Sequence, residues 1–153
     1  MDMCIGNHED RITREAECNP RLIGTISIED LGYKEAGWIV HPFLKVAKIA
    51  GIEFSHYFVS GPMGRPVSSA AVLLRTRQRS AIQGHVQHTD LSFHPKTGMI
   101  AMFAGACYTH DERYLTRQGN DYRRQIWMLH EADGSGYFDP MAVSLRWLKA
   151  KYG

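Results

Sequence analysis

Three short stretches of this chain put imidazoles where chemistry could be done. In "CIGNHED" an apolar run leads into Asn7 and His8. In "IEFSH" the run Ile52 to Ser55 ends on His56, and in "AIQGHVQH" the run from Ala81 ends on His85, with His88 three residues further on. Imidazole nitrogens and amide oxygens are ligands for divalent cations, and imidazole suits manganese, iron, zinc and nickel without separating them. An imidazole near neutral pH can also hand a proton to a leaving oxygen. One His at the tip of a strand is an ordinary structural residue. Three of them (His8, His56 and His85), two with a glycine close before, point to a common site at one edge of a rigid sheet.

The elements that must present these tips follow from the hydrophobic pattern. Met3 to Ile5 reads as the end of a strand, and Asp10 to Asn19 as a short polar helix opened by acids and closed by Asn-Pro. Pro20 to Gly37 reads as a loop with a short helix around Ile28 to Leu31. Trp38 to Val40 is a short apolar run. Leu44 to Ile49 and Ile52 to Val59 flank Ala50-Gly51 and predict a hairpin. A helix is expected over Ser68 to Arg75, then strands at Ala81-Ile82, Leu91 to Phe93 and Met99 to Ala104. Gln125 to Glu131 and Tyr137 to Val143 predict a second hairpin around Asp133-Gly134-Ser135-Gly136, and Leu145 to Tyr152 is helical or extended. Strands outnumber helices, which gives an α+β class.

With the motifs in order, the chain resembles the calcineurin-like metallophosphoesterases, in particular their phage and prophage branch. "GNHED", "SHYFVSG" and "GHVQH" are similar to that family's Gly-Asn-His-Asp/Glu, lone-His and Gly-His-x-His motifs. "CYTHDERYL" and the ending "FDPMAVSLRWLKAKYG" carry the likeness over nearly the whole chain. The resemblance implies that Asn7, His56 and His85 bind the family's second metal and that His8 is the acid. His88 lies near the position of a ligand to the first metal. It also implies a β-sandwich of two sheets flanked by helices.

The chain departs from the family in one respect that limits its chemistry. The family's Asp-x-His and Gly-Asp motifs, which hold the first metal and the bridging carboxylate, precede Gly-Asn-His. No Asp here is followed two residues later by His, and no Gly is followed by Asp. The last motif is also one residue long, with Gln87 where the second His would fall. The chain therefore reads as a truncated metallophosphoesterase fold with its N-terminal half missing. The expectation is at most one divalent ion per chain, and phosphoester hydrolysis that is weak or absent unless a partner chain completes the site. The other reading is a phage-encoded binding protein that has lost catalysis and inhibits a host protein. The apolar strand left uncovered predicts a homodimer or an obligate protein partner. A folded-back loop carrying Leu22, Ile23, Ile26 and Ile28 is the alternative cover.

Bulk properties bound the rest. A chain of 153 residues with 44% hydrophobic and 22% charged residues is an ordinary single globular domain. No run is apolar and long enough to span a membrane, and no basic-then-apolar leader stands at the start. Three widely spaced cysteines form neither a disulfide framework nor a metal clamp, so a reducing cytoplasm is expected. A net charge of +2 does not by itself call for nucleic acid, although a nucleotide or nucleic-acid phosphoester is a candidate substrate. Arg75, Arg77 and Arg79 alternate and, if extended, would share one face; a solvated face is the simpler reading. His110-Asp111-Glu112 reads as a surface turn rather than an acid–base cluster. Trp38, Trp127 and Trp147 are expected as core or interface anchors, and His41, His94 and His130 receive no role.

Overall fold

Residues 47–104 carry the frame of the molecule, in a computed structural model that describes residues 1–113 and 118–153. Five strands form its sheet: β3 (Ala47–Ile49), β4 (Ile52–Ser55), β7 (Ala81–Gln83), β8 (Thr89–Phe93) and β9 (Ile100–Ala104), in the order β3-β4-β7-β9-β8. The three central strands β4, β7 and β9 are parallel, and an antiparallel strand closes each edge. The β3–β4 turn holds Ala50 and Gly51 both at positive φ, the backbone a two-residue hairpin requires.

Side chains leave the central strands alternately to two cores. Ala101 and Phe103 enter one cluster with Ala81, while Ile100 and Met102 enter the other with Ile52 and Ile82. Such strands are buried on both faces, so they read as continuous apolar runs. The first face is covered by helix α2 (Ala70–Arg77), which buries Ala70, Leu73 and Leu74 at the i, i+3, i+4 spacing. The Ser69 hydroxyl caps α2 by accepting from the Val72 N–H, and Asp90 accepts from the Ala70 N–H at 2.7 Å. The second face is covered by a hairpin of β10 (Gln125–His130) and β11 (Asp139–Ser144), through Trp127, Leu129 and Phe138. Trp127 also donates from its indole to the Ala104 carbonyl at 2.8 Å.

Smaller elements complete the chain. β1 (Asp2–Cys4) pairs in parallel with β2 (Ile39–His41), and the polar helix α1 (Asp10–Cys18) follows β1. A minor hairpin joins β5 (Val59–Ser60) to β6 (Arg65–Pro66), so the expected strand Ile52 to Val59 is interrupted after Ser55. Helix α3 (Leu145–Tyr152) ends the chain. Ile5 is buried, and the residues 20–37 loop folds back beside it, with Ile23, Ile26 and Ile28 lining a shared cavity. The α+β class holds, with a helix on one face of the main sheet and a two-stranded hairpin on the other. No helix among the described residues is long and apolar enough to cross a membrane.

Arg75 and Arg77 lie on α2, where residues two apart point to opposite sides, so the arginines form no stripe, and Arg75 and Arg79 are exposed as a solvated face requires. Arg77 instead pairs with the buried carboxylate of Glu53, Nε to Oε2 at 2.7 Å, and lies over the Phe58 ring. Of the tryptophans expected as core or interface anchors, Trp127 packs against the core, while Trp147 lies outside it, 49% exposed on α3. Two histidines left without a role act structurally. His41 pairs with Asp2 at 2.8 Å, and the His94 ring accepts from two backbone N–H groups of the β8–β9 turn.

Candidate functional site

The carboxyl ends of adjacent parallel strands deliver the site. Chain leaving β4 reaches His56 directly, and chain leaving β7 reaches His85 after Gly84. Open sheets with parallel strands place ligands in the crevice beyond these ends. Asn7 arrives from β1 through Ile5 and Gly6, anchored by the Ile5 N–H on the His41 carbonyl at 3.0 Å.

Local hydrogen bonds set each side chain. The Ser55 hydroxyl donates to the Tyr57 carbonyl at 2.9 Å, and the Phe58 N–H donates to buried Gln83 at 3.0 Å, which fixes the turn carrying His56. Glu9 reaches back to accept from the Gly6 N–H at 2.9 Å. Gly6 is required by close approach: a Cβ there would stand 2.7 Å from Glu9 Oε2 and 3.0 Å from His56 Cε1. His85 adopts φ +65°, and the Val86 N–H donates across it to the Gly84 carbonyl at 2.7 Å. That is a three-residue γ-turn of the rare, strained hand. Strain of this kind collects at functional sites.

Three side-chain atoms converge. Asn7 Oδ1 lies 2.7 Å from His56 Nε2 and 3.2 Å from His85 Nδ1, and the two imidazole nitrogens are 3.1 Å apart. Hydrogen bonds cannot fill all three edges of this triangle at once. In any one state each of these atoms is either a donor or an acceptor, and donors and acceptors cannot alternate around a ring of three. Flipping the Asn7 amide leaves the same conflict. A cation removes it, because all three atoms then offer lone pairs to one centre. For ligands about 2.1 Å from a metal, neighbouring positions of an octahedron are about 3.0 Å apart, and the observed edges fit that spacing. The donor set, two imidazoles and an amide, suits the divalent first-row metals.

Electrostatics agree with this use. His56 is pushed down to about 4, by burial first and then by His85 and His8, with Glu9 opposing. His85 is also lowered, by burial and then by His8. Both rings are therefore neutral at pH 7, the form that ligates. Tyr57 packs its ring 4.9 Å from His85 and 5.8 Å from His56, walling one side.

Around the triangle lies an open cavity of about 270 Å³, lined also by His8, Gln87, Tyr108 and Glu112. His8 is exposed on the rim, free to meet a substrate. His88 is not brought in: it lies against buried Phe103, and Gln87 takes the place on the cavity wall. Among the described residues no three His, Cys, Asp or Glu side chains gather as a metal cage; the converging set owes its third member to an amide. Two carboxylates beside the site were not expected there. Glu9 stands within Gly-Asn-His-Glu, and its spacing of three from Gly6 is the capping signal that could have found it. Glu112 reaches the cavity only because residues 105–112 fold past it, and nothing local signals this. Asp111 pairs with Arg124, as a surface turn would. Leu115 and its neighbours in the "CYTHDERYL" stretch extend outside the described residues.

No protein-family model, characterised sequence or solved structure matches this chain. Geometry and motifs are therefore the grounds on which function is assigned.

Proposed function

We propose that this protein binds one divalent cation through Asn7, His56 and His85 and acts on phosphoesters, in the manner of half a calcineurin-like metallophosphoesterase centre. The observation that carries the reading is the convergence of three donor atoms at the edge spacing of a metal's coordination shell, where hydrogen bonds fill at most two edges and one cation serves all three atoms. A strained backbone at His85 and a close-packed Gly6 support it, since both hold ligands at a cost to the fold.

A divalent ion bound there supplies Lewis acidity toward a phosphoryl oxygen and lowers the pKa of a bound water. The chain's own residues supply the rest. Asn7, His56 and His85 remain neutral, so the carboxylates of Glu9 and Glu112 are the nearby charges that offset a dication. His8, exposed on the rim, is the residue that would hand a proton to a leaving alkoxide oxygen. Tyr57 shields one side of the imidazole pair from water. With no second ligand set beside the first among the described residues, hydrolysis by the isolated chain is slow.

Calorimetric titration with Mn²⁺ or Zn²⁺ near pH 7.5 tests the reading. One ion per chain is expected, with binding lost in His85→Ala and retained in His8→Ala. Turnover of a generic phosphodiester is expected only slightly above background, and lower still in His8→Ala. Two ions per chain, or binding indifferent to His85, would overturn it.

A further inference from the structure

Behind the wall that carries Tyr108 and Glu112 lies a second, strongly basic cavity. It has a volume of about 570 Å³ and is lined by Arg123, Arg124, Arg146 and Lys149, with Asp121 as its acid. The two cavities share one strip of chain. Ala106, Tyr108 and Glu112 line the first, Thr109 lines the second, and the Gln125 N–H binds the Ala106 carbonyl at 2.9 Å.

The cations converge from two separate segments, 121–124 and 144–149, tied by the Leu145 N–H on the Arg124 carbonyl at 3.0 Å. Arg124 is held in place by Asp111 and the Thr109 carbonyl and lies over the Tyr122 ring at 5.2 Å. Arg123, Arg146 and Lys149 are exposed, and none joins an ion pair among the described residues. Arg146 and Lys149, three apart, share a face of α3. The helix "LRWLKAKY" has no acid, and it exposes Trp147 by 49% and Tyr152 by 70%.

We propose that this cavity binds the backbone of single-stranded nucleic acid, with Tyr152, three residues beyond Lys149 on the same side of α3, taking an unstacked base. A concave group of unpaired cations tracks successive phosphates, and exposed aromatic faces take unstacked bases without regard to sequence. A membrane surface fits less well. A lipid-facing helix needs a continuous apolar stripe, whereas Leu145 and Leu148 are half-buried and Trp147 carries Lys151 at 4.8 Å from its ring. The substrate class deepens the proposed function, but the binding itself requires no metal.

Fluorescence anisotropy of a labelled oligothymidylate, in EDTA and at stepped KCl, tests it with the full chain. Arg146→Glu with Lys149→Glu should weaken binding at least tenfold and flatten the log–log salt slope by about 1.4, at roughly 0.7 per phosphate contact. Arg123→Glu should do half as much to the slope, and Tyr152→Ala should weaken binding about tenfold. Lys96→Glu, the same charge change in the β8–β9 turn, should leave both unchanged. Affinity and slope insensitive to the three cations would overturn the proposal, as would capture by phosphatidylserine vesicles without oligonucleotide binding. The metal reading is scored apart: His85→Ala should keep oligonucleotide binding while losing Mn²⁺. Oligonucleotide binding in a wild-type chain that takes no metal would sustain this inference and sink the other.

Discussion

His85 offers a perturbation that separates stability from function. Its φ of +65° places a β-carbon in the left-handed region, at a cost of roughly 1–2 kcal/mol. His85→Gly releases that strain but gives the unfolded chain more freedom, worth roughly 0.5–1 kcal/mol in the opposite direction. His85→Ala keeps the strain and loses the ring contacts with His56 and Tyr57. Both variants lose the ring contacts, so the metal-free Gly variant should be about 1 kcal/mol more stable than the Ala variant, a gap of roughly 2–4 °C for a chain of this size. Both variants lose the Nδ1 ligand and should bind Mn²⁺ at least about a hundredfold more weakly. Urea unfolding in EDTA beside calorimetric titration reads the two quantities. A Gly variant less stable than the Ala variant would refute the assignment of stored strain. Undiminished metal binding in either would refute His85 as a ligand.

Gly6→Ala drives a methyl against Glu9 and His56, so metal affinity should fall about 10–100-fold for a loss of about 1 kcal/mol in stability, measured by the same titration and unfolding. Unchanged affinity would mean that the His56 ring is not fixed by this contact. Arg77→Ala removes the nearer cation from the Glu53 carboxylate, which is 3% exposed, leaving Lys48 at 4.0 Å, and should cost about 1.5–3 kcal/mol in urea unfolding. Arg75→Ala, on the opposite side of α2, should stay within about 0.5 kcal/mol, and equal losses in the two would contradict the helical placement.

The sequence by itself determined the elements and the ligand types. The β3–β4 turn, the β10–β11 hairpin and the apolar runs of β7 and β9 follow from local pattern, because a strand buried on both faces and a turn needing positive φ each leave a local signature. His8, His56 and His85 stand out because each follows an apolar strand closely, whereas the set Asn7, His56 and His85 is implied only by the likeness of the motifs to those of the metallophosphoesterases. What the sequence could not show was which atoms meet. Bringing Asn7 against residues 49 and 78 positions away depends on β4 and β7 lying parallel and adjacent, and on β1 reaching the same end beside β2. The period-two arginines left two readings open because alternation means one face on a strand and opposite sides on a helix, and packing of Leu73 and Leu74 against the sheet decided for the helix. Glu112 and the basic cavity were invisible for the same reason. They are assembled from segments distant in sequence, whose proximity is set by the burial of Phe103, Phe138 and Trp127 in the two cores and by no local preference of the chain.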